Sequence, residues 1–191
     1  MNTPNKLTLL RFVLSAIFFA VALIEFPHHY LVALAIFIFA SITDLIDGQI
    51  ARKRNLITNF GKFLDPIADK MLTTAAFIAF TFNHIGFGIE WVLFIVLARE
   101  FVVTSVRLIA SDNGKVIAAN MWGKVKTVMQ MVAIIATMFF VYLIDTFNLP
   151  EMIDIILTYS YSVLLWISGI LTLIAGVTYL VDNRQFINPN K

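Results

Sequence analysis

The sequence lacks cysteine and has few charged residues. With no cysteine among 191 residues, disulfide bonds and thiolate metal ligands are excluded. Charged residues make up 14% of the chain, against about 25% in soluble domains, whereas hydrophobic residues make up 60%. The few basic residues form no stripe interleaved with aromatic side chains, which argues against a nucleic-acid partner. This composition indicates an integral membrane protein that forms one domain over residues 1–191.

Six apolar stretches predict an all-α bundle of six transmembrane helices. The last stretch, 155–181, contains no charged residue and exceeds the roughly 20 residues that a membrane span requires. Residues 1–6 contain Pro4 and Asn5 and predict a short interfacial segment ahead of the first span. The predicted spans cover approximately 7–26, 30–51, 63–82, 88–110, 125–144 and 155–181.

The distribution of basic residues predicts the orientation of these spans. Six spans place both termini on one side of the membrane, and the three turns on the opposite side are 27–29, 83–87 and 145–154. None of these turns contains lysine or arginine, although the chain has 14 such residues. By the positive-inside rule both termini are cytoplasmic. We therefore expect a multi-pass protein of the cell membrane, in a bacterium the cytoplasmic membrane, in which a functional site at the basic ends of the spans would face the cytoplasm.

Four aspartates between positions 44 and 69 are the strongest candidates for chemistry. Asp44 and Asp47 are three residues apart, and Asp65 and Asp69 are four apart, so each pair shares one helix face. A carboxylate near lipid costs about 2.5–3.5 kcal/mol on insertion scales. One explanation is helix capping and ion pairing with nearby lysine and arginine. The other is a site for two hard cations, Mg²⁺ or Mn²⁺, that clamp a phosphate or pyrophosphate.

The spacing of this stretch resembles a known family. It follows the pattern D-x2-D-G-x2-A-R-x8-G-x3-D-x3-D and so resembles the CDP-alcohol phosphotransferases. The resemblance implies transfer of a substituted phosphoryl group from a CDP-linked donor to an alcohol, release of CMP, and a homodimer. It implies that two Mg²⁺ ions are held by Asp44, Asp47, Asp65 and Asp69. It further implies that Asp69 is the general base that accepts the proton of the acceptor hydroxyl.

Segments outside this pattern resemble the branch of the family that makes phosphatidylglycerol phosphate. They are 4–11, 98–101 with Arg107, and 122–127, and the resemblance fades after about Ile144. It implies CDP-diacylglycerol as donor, sn-glycerol 3-phosphate as acceptor and the lipid bilayer as the medium. The residues expected to contact CDP-diacylglycerol are Asn5, Thr8, Gly48, Arg52, Thr58 and Gly61. Gly48 and Gly61 lack side chains and would let a nucleotide approach the backbone closely.

The acceptor phosphate is expected to bind Arg99, Arg107 and Lys124. Arg99 and Arg107 are eight residues apart, about 80° around a helix axis, so both can face one cavity. Guanidinium groups suit phosphate oxygens. The alternative is that Arg99 pairs with Glu100 and that Arg107 extends to the cytoplasmic interface.

Two other functions remain open at this point. One is a sister transferase whose acceptor is inositol phosphate, serine or phosphatidylglycerol. The other is a divalent-cation transporter, which should carry acidic residues or broken helices near the middle of the membrane. The predicted position of the aspartates at the cytoplasmic ends of two spans disfavours the transporter.

Overall fold

Only α-helices and their connections are present in the part of the chain that the structure describes. This computed structural model describes residues 3–54, 59–112 and 121–184, with side chains described for 8–43, 67–68, 70–112 and 121–184. The helices are α1 (Thr3–Leu23), α2 (His29–Arg54), α3 (Asn59–Phe82), α4 (Ile89–Asp112), α5 (Met121–Thr146) and α6 (Glu151–Asp182). For these described ranges, the prediction of an all-α fold with six long helices is confirmed.

The helices extend further at their polar ends than the apolar stretches do. α1 begins at Thr3, so the prediction of a separate segment before the first helix is wrong for residues 3–6, which belong to that helix. Pro4 is tolerated there because the first-turn N–H groups have no partner within a helix. Likewise, α2 continues to Arg54 and α3 begins at Asn59, which shortens the predicted polar connection. Hydropathy marks the apolar part of a helix, whereas lysine and arginine continue it readily.

Successive helices run in opposite directions, because residues at or just after the C-terminal ends of α1, α3 and α5 line one pocket, namely Pro27, Asn83 and Asp145. Asn83, in the turn after α3, donates a side-chain hydrogen bond to the carbonyl oxygen of Ala22 at 2.9 Å. Trp166 Nε1, on α6, donates to the carbonyl oxygen of Phe87 at 2.8 Å. We call this end of the bundle the turn end. The C-terminal parts of α2, α4 and α6 and the N-terminal parts of α1, α3 and α5 therefore lie toward the opposite end.

The core joins α1, α2 and α3 through large aromatic rings and small neighbours. Phe18 and Phe37 are fully buried, and their ring centroids are 5.5 Å apart. Ala33 and Ala40 are also fully buried, so α2 presents little bulk between its larger side chains. Small residues at such contacts allow helix backbones to approach closely.

A similar small-residue contact joins α6 to α4. A Cβ atom added at Gly169 would lie 3.3 Å from Val92 Cγ1, and one added at Gly176 would lie 2.9 Å from Arg99 Cγ. The second distance is too short for two carbon atoms, so glycine at position 176 is required for this close approach. Gly176 thereby fixes the position from which the Arg99 side chain extends.

The described helices include two, α5 and α6, that are long and apolar enough to cross a membrane by length and composition. Shorter apolar stretches lie in Thr8–Leu23, His29–Thr43 and Lys70–Phe82. On α4, the large apolar residues Phe94, Phe101 and Leu108 follow one another at intervals of seven and are 64–71% exposed. An exposed apolar face of this kind marks contact with lipid or with another protein.

Candidate functional site

The backbone brings the two aspartate pairs toward the same end of the bundle. Asp47 lies seven residues before the end of α2, and Asp65 lies six residues after the start of α3. At 1.5 Å per residue, Asp47 and Asp65 are therefore roughly 10 Å, and Asp44 and Asp69 roughly 15 Å, from the connection between the helices. α2 and α3 also contact each other and are joined by four residues. The side chains of Asp44, Asp47, Asp65 and Asp69 lie outside the described part, so their convergence on metal ions stays a prediction.

The expected CDP-diacylglycerol residues are described only in part. Thr8 is buried within α1. Thr58 lies outside the described residues, and of four others only the helical backbone is described: Asn5, Gly48, Arg52 and Gly61. Their role in binding the donor stays a prediction.

No group of three or more histidine, aspartate or glutamate side chains forms a metal site within the described ranges. The predicted metal ligands are four carboxylates whose side chains fall outside those ranges. A donor set made only of oxygen atoms matches the preference of Mg²⁺ and Mn²⁺.

A cavity of about 430 Å³ lies between α3, α4, α5 and α6. As the eight-residue spacing predicts, Arg99 and Arg107 both line it, and Lys124 lines it from the beginning of α5. Among the residues whose side chains the structure describes, its charged lining consists of Lys70, Arg99, Glu100, Arg107, Lys124 and Lys126. Within this described lining, five basic side chains accompany one carboxylate, an arrangement that suits a phosphate-bearing ligand.

Glu100 binds three of these basic side chains, each from a different helix. Its Oε2 lies 3.0 Å from Lys70 Nζ on α3, and its Oε1 lies 3.0 Å from Arg99 Nη1 on α4. Lys126 Nζ on α5 donates to the same Oε1. We call Glu100 with these three side chains the Glu100 cluster. Lys70 Nζ also donates to Thr104 Oγ1 at 2.7 Å, so the residue after Asp69 is firmly attached to α4.

The Arg99–Glu100 pair was one of the sequence alternatives, but the other two members of the cluster were missed. The sequence offered Lys70 as a partner for the aspartates, and it offered Lys126 either as an anchor at the membrane surface or as a contact of the acceptor phosphate. The Lys126 side chain is only 8% exposed, which excludes a solvated anchor. The available signal was the acidic Glu100 within an apolar stretch, because such a residue usually has basic partners inside the bundle.

The two arginines retain capacity for a ligand. Arg99 donates to Glu100 through Nη1, but its buried Nε has no hydrogen-bond partner in the described part of the chain. Arg107 belongs to an exposed stretch of α4, and its guanidinium carbon lies 6.0 Å from the ring centroid of Tyr179. It therefore lines the cavity even though it also reaches the surface, so the two sequence alternatives for Arg107 are compatible.

Comparisons with known proteins agree with the motif. The model of the family described as CDP-alcohol phosphatidyltransferase matches residues 1–174. The chain is 38% identical to a CDP-diacylglycerol–glycerol-3-phosphate 3-phosphatidyltransferase of Bacillus subtilis over an alignment of 201 positions, gaps included, which covers 99% of this chain and 98% of the relative. Proteins of the same name show 35% identity over 97% of both chains in Rickettsia bellii, and 38% over 70% of this chain and 74% of the relative in Salmonella typhimurium.

The similarity therefore continues past Ile144, where the sequence resemblance was expected to fade. The matches to the Bacillus and Rickettsia proteins extend over nearly the whole chain and include most of α6. The chain belongs to the CDP-alcohol phosphatidyltransferase family.

Proposed function

We propose that the protein transfers the phosphatidyl group of CDP-diacylglycerol to sn-glycerol 3-phosphate, giving phosphatidylglycerol phosphate and CMP. The observation that carries this proposal is the near full-length similarity to the Bacillus subtilis protein of that name. The aspartate pattern from Asp44 to Asp69 supplies the residue types that the reaction requires.

The cavity supports an acceptor that carries a phosphate. Arg99, Arg107 and Lys124 are the proposed phosphate-binding residues, and Glu100 neutralises only part of the positive charge around them. Serine carries a single carboxylate and no phosphate, so it would offer these basic groups less negative charge than a phosphate dianion does. Inositol phosphate has the required charge, so the choice of glycerol 3-phosphate over inositol phosphate rests on the names of the relatives.

The membrane arrangement belongs to the same proposal. We propose six transmembrane helices with both termini in the cytoplasm, which is supported by the lack of lysine and arginine in the turns at the turn end. The exposed apolar face of α4 suits lipid contact. A cytoplasmic active site lets the acyl chains of the donor remain in the bilayer while its headgroup meets a soluble acceptor. A homodimer is proposed from the family resemblance alone.

The proposed reaction needs a general base that takes a proton and a binding site that holds the acceptor substrate. Asp44, Asp47, Asp65 and Asp69 are the residues proposed to hold Mg²⁺, which supplies positive charge to the pyrophosphate of the donor. Asp69 takes the proton of the acceptor hydroxyl, and the oxygen of that hydroxyl attacks the phosphorus atom that bears the diacylglycerol. The bond to CMP breaks, and CMP leaves. Holding the acceptor phosphate in the cavity orients its hydroxyl and makes the reaction effectively unimolecular.

An acceptor panel tests the proposed function. Purified protein with Mg²⁺ and CDP-diacylglycerol is expected to release CMP with sn-glycerol 3-phosphate, and not with inositol phosphate, serine or phosphatidylglycerol. Chelation with EDTA should stop the release, and added Mg²⁺ should restore it. Activity with serine but not glycerol 3-phosphate would overturn the acceptor assignment. Divalent-cation flux into liposomes without any lipid donor would instead revive the transporter.

The arginine pair gives a second expected result. Arg99→Ala and Arg107→Ala should each raise the KM for glycerol 3-phosphate about 10–100-fold, because a hydrogen bond to a charged group contributes roughly 1.5–3 kcal/mol. The KM for CDP-diacylglycerol should stay within about twofold. Arg184→Ala is the matched control, since Arg184 follows α6 and is exposed. An unchanged acceptor KM in both cavity variants would mean that the phosphate binds elsewhere.

A further inference from the structure

Tyr179 lines the cavity, and its hydroxyl group has no hydrogen-bond partner in the described part of the chain. The residue is 2% exposed, and its hydroxyl oxygen is buried without a hydrogen-bond partner within the described ranges. A buried hydroxyl that lacks a partner is unfavourable, so such a group in a native protein calls for an explanation. Tyr179 also lines the cavity that contains Arg99, Arg107 and Lys124.

The ring of Tyr179 is held on two sides. Val103 and Val106 of α4 are buried against it and form a small apolar cluster with it. Arg107 lies over the ring at 6.0 Å, within the range of a cation–π contact. These contacts fix the ring and therefore limit the positions that the hydroxyl can occupy.

Packing alone does not account for a tyrosine at this position. A phenylalanine side chain would fill the same space against Val103 and Val106, and the chain uses phenylalanine at 18 other positions. The remaining distinguishing feature is the O–H group.

The cavity wall offers hydrogen-bond donors that match one kind of ligand. Arg99 Nε, like the Tyr179 hydroxyl, is buried without a partner in the described part of the chain. Guanidinium and ammonium groups can only donate hydrogen bonds, and a phenol donates readily. The oxygens of a phosphate dianion accept such bonds and carry no proton to donate.

We infer that Tyr179 is a further acceptor-binding residue, whose hydroxyl donates a hydrogen bond to the phosphate of the acceptor beside Arg107. The inference rests on the proposed function, because it assigns this residue to the phosphate of glycerol 3-phosphate. Tyr179 thereby adds α6 to the helices α4 and α5 that already supply phosphate-binding groups to the cavity.

The variant Tyr179→Phe tests the inference because it removes only the hydroxyl oxygen. We expect the KM for glycerol 3-phosphate to rise about tenfold, with kcat and the KM for CDP-diacylglycerol within about twofold of the wild type. Tyr161→Phe is the matched control, because Tyr161 is buried on the same helix, 18 residues and roughly 27 Å from Tyr179. It should leave all three parameters unchanged.

A second measurement separates binding from folding. Without ligand, the thermal midpoint of Tyr179→Phe should equal or exceed that of the wild type, because the ring packing is retained. Glycerol 3-phosphate should raise the midpoint of the variant less than that of the wild type.

Each other outcome identifies what has failed. If the wild type turns over glycerol 3-phosphate and Tyr179→Phe has an unchanged KM, the inference on Tyr179 is wrong and the proposed function stands. Equal increases in the donor and acceptor KM values would also overturn it, because they indicate a general structural role. If the wild type does not use glycerol 3-phosphate, the proposed function fails and this inference fails with it.

Discussion

Replacing Asp69 with asparagine is expected to lower the rate of CMP release by about 10²–10⁴-fold, the contribution typical of a general base. Asparagine has nearly the size of aspartate but cannot accept the proton of the acceptor hydroxyl. The backbone of position 69 lies in α3 directly before Lys70, whose ammonium group binds Glu100 and Thr104 at the cavity proposed to bind the acceptor. The measurement is the initial rate at saturating concentrations of both substrates.

Two comparisons sharpen the Asp69 experiment. Asp112→Asn is the control, because Asp112 ends α4 and is exposed, and it should retain the wild-type rate within about twofold. Raising the Mg²⁺ concentration distinguishes the two roles proposed for Asp69. If the substitution only weakens metal binding, excess Mg²⁺ should restore the rate, whereas a missing base is not replaced by metal. An Asp69→Asn variant with near wild-type activity would remove the general-base assignment.

Local spacing predicted the parts of the molecule that depend on a single helix. The apolar stretches predicted six helices, and the eight-residue interval predicted that Arg99 and Arg107 share one cavity. The helix ends were less accurate, because α1 begins at Thr3 and α2 continues to Arg54. Polar residues outside the apolar part of a helix carry no hydropathy signal, although they extend the helix readily.

The contacts that complete the cavity could not be predicted in the same way. Glu100 is separated from Lys126 by 26 residues and from Lys70 by 30, and only the packing of α3, α4 and α5 brings the three together. Tyr179 lies 72 residues from Arg107 and gave no charge signal. The carboxylate that organises the basic side chains thus follows from tertiary structure, whereas the motif from Asp44 to Asp69 is readable from sequence.

The Glu100 cluster leads to the second large expected effect. Glu100→Gln preserves the shape of the side chain but removes the negative charge shared by Lys70, Arg99 and Lys126. The three cations would then repel one another in a site where the Glu100 side chain is only 14% exposed. Removing one partner of a buried ion pair costs about 3–5 kcal/mol, and this partly solvated cluster should lose about 2 kcal/mol of unfolding free energy. Thermal unfolding in detergent measures the loss.

An added anion should offset much of that loss, which links the stability of the cluster to the acceptor site. Phosphate or glycerol 3-phosphate bound in the cavity would supply the negative charge that Glu100→Gln lacks, so each should raise the thermal midpoint more in the variant than in the wild type. Glu90→Gln is the control, because Glu90 is exposed in the first turn of α4 at the turn end. Its midpoint should match the wild type with and without the anion.

If Glu100→Gln is destabilised but gains no more from phosphate than the wild type, the cluster holds the helices together without facing the acceptor. A larger rise of the thermal midpoint in the variant than in the wild type would instead mean that the Glu100 carboxylate lies close enough to the bound acceptor phosphate to interact with it electrostatically.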